Sequence, residues 1–427
     1  MNGRKGGQSM ERIIIEPGAG KVIARLMDAG FLAYAVGGCV RDALLGRRAN
    51  DWDICTSALP GETLALFGEE NCIPTGLKHG TVTVKMDGGL YEVTTFRTEG
   101  AYSDGRHPDS VRFVPDVRED LARRDFTINA MAYNERHGLI DPFGGREDLL
   151  NRRIVRAVGT ARERFAEDAL RIMRLLRFAS RFGFDIEDET YTAAIELRAR
   201  LACVSGERIR EELMKLLETQ KPAAYLPVGI VRELMPQLRE VPLQESEAAL
   251  AAIDALPPDA ELRLAALLVP VCSAENVAAA QESMKKLRCS NRTQGRVLRA
   301  ITGAIDDYSG EEPRLRARMR RRLGEWGMEP FEDAELLAKA IRSEEDARAV
   351  SAVVQMAREA KAKGLCCSVR ELAVGGGDVM RALGGGAGPQ IGEMLERLLG
   401  AVLADELPNE REALLLAARE WNGDTKA

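Results

Sequence analysis

Val36-Gly37-Gly38-Cys39-Val40-Arg41-Asp42, followed by Asn50-Asp51-Trp52-Asp53, is the densest chemical signal in the chain. The apolar run over residues 31–36 predicts a strand that ends at Val36. Two glycines then turn the backbone, and a helix starts near Val40. Glycine lets main chain approach a phosphate closely, and a helix N-terminus favours anions. Arg41, one turn in, adds a charge-assisted contact to a triphosphate. Taken alone, Gly37-Gly38 is equally the mark of an ordinary strand–helix turn. Asp51-x-Asp53 changes that reading. On a strand, residues i and i+2 share a face, and two carboxylates side by side repel unless a cation lies between them. Mg²⁺ takes carboxylate oxygens together with substrate phosphates. A turn for a triphosphate and an acidic pair for Mg²⁺ are the minimum equipment of in-line nucleotidyl transfer.

Outward from this stretch, residues 53–55, 81–85, 91–96 and 111–114 also read as strands. Asp87-Gly88-Gly89 reads as a hairpin turn between 81–86 and 90–97. An amphipathic helix over residues 21–29 precedes the first strand and stops at Gly30, a usual C-cap. Near residue 150 the chain changes character. From residue 161 onward Ala, Leu, Glu and Arg recur at helical spacing. Breaks are expected at Ser205-Gly206, Pro257-Pro258, residues 309–313 and the glycine cluster over 375–388. The expected architecture is an α/β head with a small, largely antiparallel mixed sheet, followed by an all-α region. The segments are a head (11–148), a neck (149–215), a body (216–330) and a tail (331–427).

Composition narrows the function. The chain has 427 residues, 45% hydrophobic and 30% charged, too long for one core and typical of a soluble globular protein. No apolar run spans a bilayer; residues 265–271 are a short buried segment at most. The N-terminus lacks the apolar stretch of a secretory signal, so a cytoplasmic location and no membrane partner are expected. Eight cysteines form no CxxC pair, which leaves buried free thiols rather than zinc or redox chemistry. A net charge of −6 argues against indiscriminate coating of nucleic acid. Arginine runs such as residues 314–322 read first as solvated helix faces and second as RNA contacts. The three histidines are His79, His107 and His137, so the helical two-thirds has no histidine metal centre or acid–base.

Further segments carry a resemblance. They are Tyr91-Glu92-Val93-Thr94-Thr95-Phe96-Arg97, Leu121-Ala122-Arg123-Arg124-Asp125-Phe126-Thr127-Ile128-Asn129-Ala130, and Glu167-Asp168-Ala169-Leu170-Arg171-Ile172-Met173-Arg174. With the opening stretch they resemble the polymerase-β-type nucleotidyltransferases. The closer likeness is to the bacterial class II tRNA nucleotidyltransferases (CCA-adding enzymes) and their poly(A) polymerase relatives. The resemblance is dense over residues 30–185 and loose beyond, although Gly388-Pro389-Gln390-Ile391-Gly392 is similar to the family's tail. It implies that Asp51 and Asp53 are catalytic and bind Mg²⁺, and that Gly38, Arg41 and Arg124 contact the incoming nucleotide. It also implies a nucleotide pocket of Asp168, Arg171, Arg174 and Arg177. The substrates implied are CTP, ATP and the 3′ end of tRNA, gripped at the acceptor arm and elbow.

Asp168 and Arg171 have a logic of their own. Read on one helix at i and i+3, a carboxylate acceptor and a guanidinium donor are neighbours. Cytosine and adenine each offer an amino donor beside a bare ring nitrogen, whereas uracil and guanine offer the reverse. One fixed pair therefore accepts C and A, and a mismatch leaves polar groups unpaired at roughly 1–3 kcal/mol each. The same spacing also fits a surface ion-pair ladder. Steps of three drift around a helix, so Arg177 is expected nearly opposite Asp168. Residues 98–110, with Asp104, Gly105, Arg106 and His107, read as a polar loop. In the resembled family such a loop helps switch C to A, and its full length favours complete CCA addition. Glu92 reads equally as a third carboxylate near the metals or as structural; His79 and His107 are poor candidates for a general base. The competing readings are an A-adding or CC-adding enzyme, a poly(A) polymerase, and a silent RNA-binding protein. The absence of later histidines excludes an appended histidine–aspartate phosphohydrolase domain, and the acidic end over residues 405–427 lowers the poly(A) polymerase reading.

Overall fold

The structure, a computed structural model, describes residues 13–100, 110–309, 311–384 and 388–424. Packing divides the chain into two units, Met1–Leu234 and Met235–Ala427. In the first, helix α1 (Pro17–Asp28) begins with proline in its first turn, where the missing N–H costs nothing. The Glu16 carboxylate caps it by accepting from the Ala19 N–H at 2.9 Å. This cap starts the helix earlier than its apolar period suggests. Gly30, at φ +92°, follows its end as expected.

Among the described residues nine strands follow: β1 (Ala33–Val36), β2 (Ile54–Thr56), β3 (Cys72–Gly76), β4 (Thr81–Met86), β5 (Gly89–Thr95), β6 (Arg97–Glu99), β7 (Val111–Phe113), β8 (Ala132–Asn134) and β9 (Gly138–Ile140). Seven make one sheet in the order β3-β4-β5-β2-β1-β8-β9. Its pairings are antiparallel except β2–β5, which is parallel and sets Ile54 opposite Val93. That register brings Asp53, one residue before β2, beside Glu92. Asp87 (φ 50°) and Gly88 (φ 79°) make the two-residue turn between β4 and β5. Four of these strands, β3, β6, β8 and β9, escaped the sequence reading, which ran residues 91–97 together and took 98–110 as loop. Strand β3 contains Pro74, tolerated because β3 is at the sheet edge, and β8 and β9 have only three residues each. Strands β6 and β7 pair as a separate ribbon. The expected loop with Asp104, Gly105, Arg106 and His107 falls mainly on residues 101–109, outside the described residues.

The helices of this unit are α2 (Gly38–Leu44), α3 (Pro60–Phe67), α4 (Val117–Ala122), α5 (Gly145–Glu147), α6 (Ala161–Glu167), α7 (Leu170–Phe182), α8 (Asp188–Leu197), α9 (Gly206–Leu217) and α10 (Val228–Leu234). Short strands Ile154–Val155 and Asp185–Ile186 pair in parallel beside α7. Tyr34, Val36, Cys55, Phe96, Leu121, Ala130 and Ala132 form one buried cluster, which fixes β1, β2 and the segment after α4 against one another.

The second unit is built on helices: Leu243–Ala255, Ala260–Leu268, Ala278–Lys286, Asn291–Ile305, Glu312–Trp326, Glu329–Ile341, Glu344–Ala362, Gly376–Leu383, Pro389–Leu403 and Arg411–Asp424. Pro257-Pro258 separates two of them, as expected. The glycine-rich stretch expected as a break instead contains the helix Gly376–Leu383. Asp378 caps that helix by accepting from the Gly375 N–H at 3.1 Å. Among the described residues no helix is long and apolar enough to cross a membrane. All eight cysteines are free and most are buried, although Cys203 is exposed.

Candidate active site

The glycine turn is held by two constraints on Gly37. Its backbone lies at φ 78°, and an added Cβ would stand 2.8 Å from Arg124 Nη1. Its N–H donates to the Met131 carbonyl at 3.0 Å. Gly38 differs: a Cβ there would meet nothing closer than Arg41 Nη2 at 3.5 Å, an ordinary contact. No side chain caps α2. Arg124 lies over this turn. Its Nη2 reaches Asp120 at 3.4 Å, and its Nε is buried with no hydrogen-bond partner.

Asp51 and Asp53 stand in the extended segment just before β2, not within a strand as the sequence suggests. The ladder nevertheless reaches them, since the Val36 N–H donates to the Asp53 carbonyl at 3.0 Å. Asp51 and Glu92 are exposed, and Asp53 keeps solvent access although the surrounding chain crowds its carboxyl. Among the described residues none of the three carboxylates is in an ion pair. Burial by the surrounding chain, then the charge of Glu92, pushes the Asp53 carboxyl above its ordinary value; Arg124 opposes this and Asp51 adds to it. Among the described residues no three His, Cys, Asp or Glu side chains close into a complete metal cage. The donor set is nonetheless of the right chemistry for magnesium, which needs only one or two carboxylates beside substrate phosphates.

Arg41 is turned inward. It is buried, donates from Nε to Asp42 at 2.8 Å and from Nη1 to Asn129 Oδ1, and lies over the rings of Phe178 and Phe182. Asn129 in turn donates to Asp125 Oδ1 at 3.1 Å, and Asp125 Oδ2 accepts from Arg174 Nε and Nη2 at 2.8 and 2.6 Å. Burial alone would raise the Asp125 carboxyl, but Arg174, Asn129 and the Phe126 N–H outweigh it and hold it down at about 2. The glycine-turn helix is thus joined to α7 by an unbroken polar chain.

The expected Asp168–Arg171 helical pair is corrected. Helix α6 stops at Glu167 and α7 starts at Leu170, so Asp168 stands in the break and caps α7 by accepting from the Leu170 N–H at 3.0 Å. Asp168 pairs with Arg208 of α9 at 2.7 Å, and Arg171 pairs with Glu167 at 2.6 Å. The helical-wheel expectation for Arg177 fails for the same reason. Arg177 binds Glu212, one turn beyond Arg208, while Arg174 approaches Glu212 at 3.8 Å. Sequence reading missed Arg208, Glu212, Asp125 and Asn129. The signal for Glu212 was present: it falls on the buried stripe of Ile209, Leu213 and Leu216, where a carboxylate needs a cation. Burial also raises the Cys39 and Cys55 thiols, which keeps these two cysteines beside the site unreactive.

Comparison with known proteins agrees with this fold. Residues 33–155 match a family described as Poly A polymerase head domain, and residues 261–418 match tRNA nucleotidyltransferase domain 2. Residues 183–240 match "Probable RNA and SrmB- binding site of polymerase A". A CCA-adding enzyme of Lactiplantibacillus plantarum is 39% identical over 405 residues, covering 93% of this chain and 94% of that one. One from Geobacillus stearothermophilus is 39% identical over 409 residues, covering 94% and 96%. The crystal structure of the Bacillus stearothermophilus CCA-adding enzyme in complex with CTP superposes with a TM-score of 0.74 at 34% identity, covering 96% of this chain and 99% of that chain. With its mixed-sheet head, helical remainder and near full-length identity to these proteins, the chain belongs to the CCA-adding enzymes, a family of nucleotidyltransferases.

Proposed function

We propose that this protein adds C, C and A in turn to the 3′ end of tRNA, using CTP and ATP and releasing pyrophosphate. The observation that carries the reading is the trio of exposed carboxylates, Asp51, Asp53 and Glu92. They have no cationic partner among the described residues and stand close to a glycine turn and a guanidinium with an unpaired, buried Nε. Asp51 and Asp53 would hold Mg²⁺ as a pair, with Glu92 on the neighbouring strand beside Asp53. Bound there, Mg²⁺ would lower the pKa of the attacking RNA hydroxyl and offset the charge of the triphosphate. Gly38 leaves room for a phosphate at the turn, and Arg124 supplies the donor beside it. Arg41 acts from behind, holding α2 through Asp42 and Asn129.

Base choice belongs to Asp168 and Arg171, with Arg174 and Arg177 fixing α7 beneath them. Arg208 and Glu167 orient the two reading groups, so the template is set by α9 and α6 as well as α7. The segments 149–215, 216–330 and 331–427 would serve as neck, body and tail, the last two gripping tRNA by backbone and shape. The site of action is the cytoplasm, where tRNA is. The test gives purified protein three tRNA transcripts, ending before CCA, after C and after CC, with each nucleotide separately. Growth with CTP, CTP and ATP respectively is expected. A long A tail, or failure with CTP, overturns the reading. CC-only addition would follow if residues 98–110 do not act as the C-to-A switch.

A further inference from the structure

Helix α7 and the turn after it carry three aromatic rings in a row. Phe178 and Phe182 stack at 6.1 Å with an interplanar angle of 2°, and Phe184 lies 5.6 Å from Phe182. All three are buried. Six guanidinium groups lie over them: Arg41, Arg174 and Arg177 at the Phe178 end, Arg47 and Arg181 at Phe182, and Arg153 at Phe184. The inner end is neutralised by Asp42, Asp125 and Glu212. The outer end is not. Arg181 has only a 3.8 Å approach to Asp42, which Arg41 already occupies. Arg47 and Arg153 are exposed and have no carboxylate partner among the described residues.

Stacking on a ring fixes a guanidinium as a flat plate, with its N–H fork free for a bidentate acceptor. Several such plates held close without counter-charge set up a local positive field that favours an anion lying across them. Arg47 follows the C-terminal end of α2, one seven-residue helix (about 10 Å) away from the Gly37-Gly38 turn. We infer that Arg47, Arg153 and Arg181 form a second anion-binding surface, which takes the phosphodiester backbone of the RNA substrate. The choice of RNA rests on the tRNA reading above.

The test is the affinity of the whole protein for a tRNA transcript lacking its last three nucleotides, measured by filter binding over a range of salt, with KM for tRNA and for CTP in parallel. The double variant Arg47→Gln/Arg153→Gln is expected to bind about tenfold more weakly, with the slope of log affinity against log salt shallower by about one to two, as for two lost phosphate contacts. KM for tRNA rises while KM for CTP holds. Arg47→Lys/Arg153→Lys, which retains the charge, is expected to keep most of the salt slope. Unchanged affinity and slope in the glutamine variant overturn the proposal. A raised KM for CTP with unchanged RNA affinity also overturns it, by assigning the arginines to the nucleotide. Because binding is read without turnover, wild-type protein that binds tRNA but adds nothing counts against the proposed activity and leaves this surface to be judged on its own slope.

Discussion

Two clusters of charge lie in the same unit and are treated in opposite ways. Around α7, buried Asp125 and Glu212 and capping Asp168 each meet a guanidinium, and burial is matched by pairing. At the mouth of β2, Asp51, Asp53 and Glu92 face solvent with no ion pair to any described residue, Arg124 bearing on Asp53 only at longer range. A scaffold neutralises its own charges, because an unpaired buried charge costs several kcal/mol. A site leaves charges open for what it will bind. The difference separates residues that hold this molecule together from residues that would do its chemistry.

The largest effect should come from the open cluster and be seen only in activity. Asp51→Ala and Asp53→Ala are expected to abolish nucleotide incorporation. The thermal midpoint should stay unchanged or rise slightly, because removing one charge relieves the repulsion around Asp53. Retained turnover in either variant would falsify the metal assignment, and a large fall in midpoint would show these carboxylates to be scaffold after all.

The paired cluster should behave in the reverse way. Asp125→Ala leaves the half-buried Arg174 with only its 3.8 Å approach to Glu212, at a cost of about 2–4 kcal/mol in urea unfolding. The wild type carries the same interaction in its pH dependence. Asp125 is held at about 2, below the unfolded value near 4, so its stabilisation is complete above about pH 4 and is lost as pH falls toward 2. The amount is of the order of 2 kcal/mol. An acid unfolding curve in which wild type and Asp125→Asn lose stability in parallel over that window would remove Asp125 from the scaffold.

Asn129 is the joint between Arg41 and Asp125, and its loss should be milder. Asn129→Leu strips Arg41 Nη1 of its acceptor and Asp125 Oδ1 of one of its two donors, about 1–3 kcal/mol, and should raise KM for CTP and ATP by loosening α2 against α7. Asn129→Asp keeps the acceptor for Arg41 but sets a second carboxylate against Asp125. Two carboxylates so close favour sharing a proton, so this variant should recover stability as pH is lowered from neutral. An Asn129→Asp protein that matches wild type at every pH would show that the polar chain is not continuous.

How much of this was legible depended on whether a residue's partner lay nearby in sequence. Gly37, Asp51 and Asp53 could be picked out because turn and acidic pair are local patterns. The hairpin at Asp87-Gly88 was legible for the same reason, its two positive-φ residues being contiguous. Asp168 was singled out but wrongly paired. A helical wheel assumes one helix, whereas the chain breaks after Glu167 and supplies Arg208 from forty residues on. Strand β3 was hidden by Pro74, whose fitness there depends on an edge position that only the whole sheet defines.

The smallest effect on stability, and the finest test of the comparison, lies between the two glycines. At Gly37 a side chain meets both a positive φ and Arg124, so Gly37→Ala should destabilise the head measurably. At Gly38 the nearest atom to a new Cβ is 3.5 Å away, and the residue opens α2, where alanine suits a helix at least as well as glycine. Gly38→Ala should therefore change stability by no more than about 0.5 kcal/mol. If the space at Gly38 is kept for a phosphate, as the open carboxylates nearby imply, the same methyl group should raise KM for both CTP and ATP while leaving tRNA affinity alone. A Gly38→Ala enzyme with unaltered KM would mean that the turn is merely a turn, and that Arg124 alone meets the triphosphate.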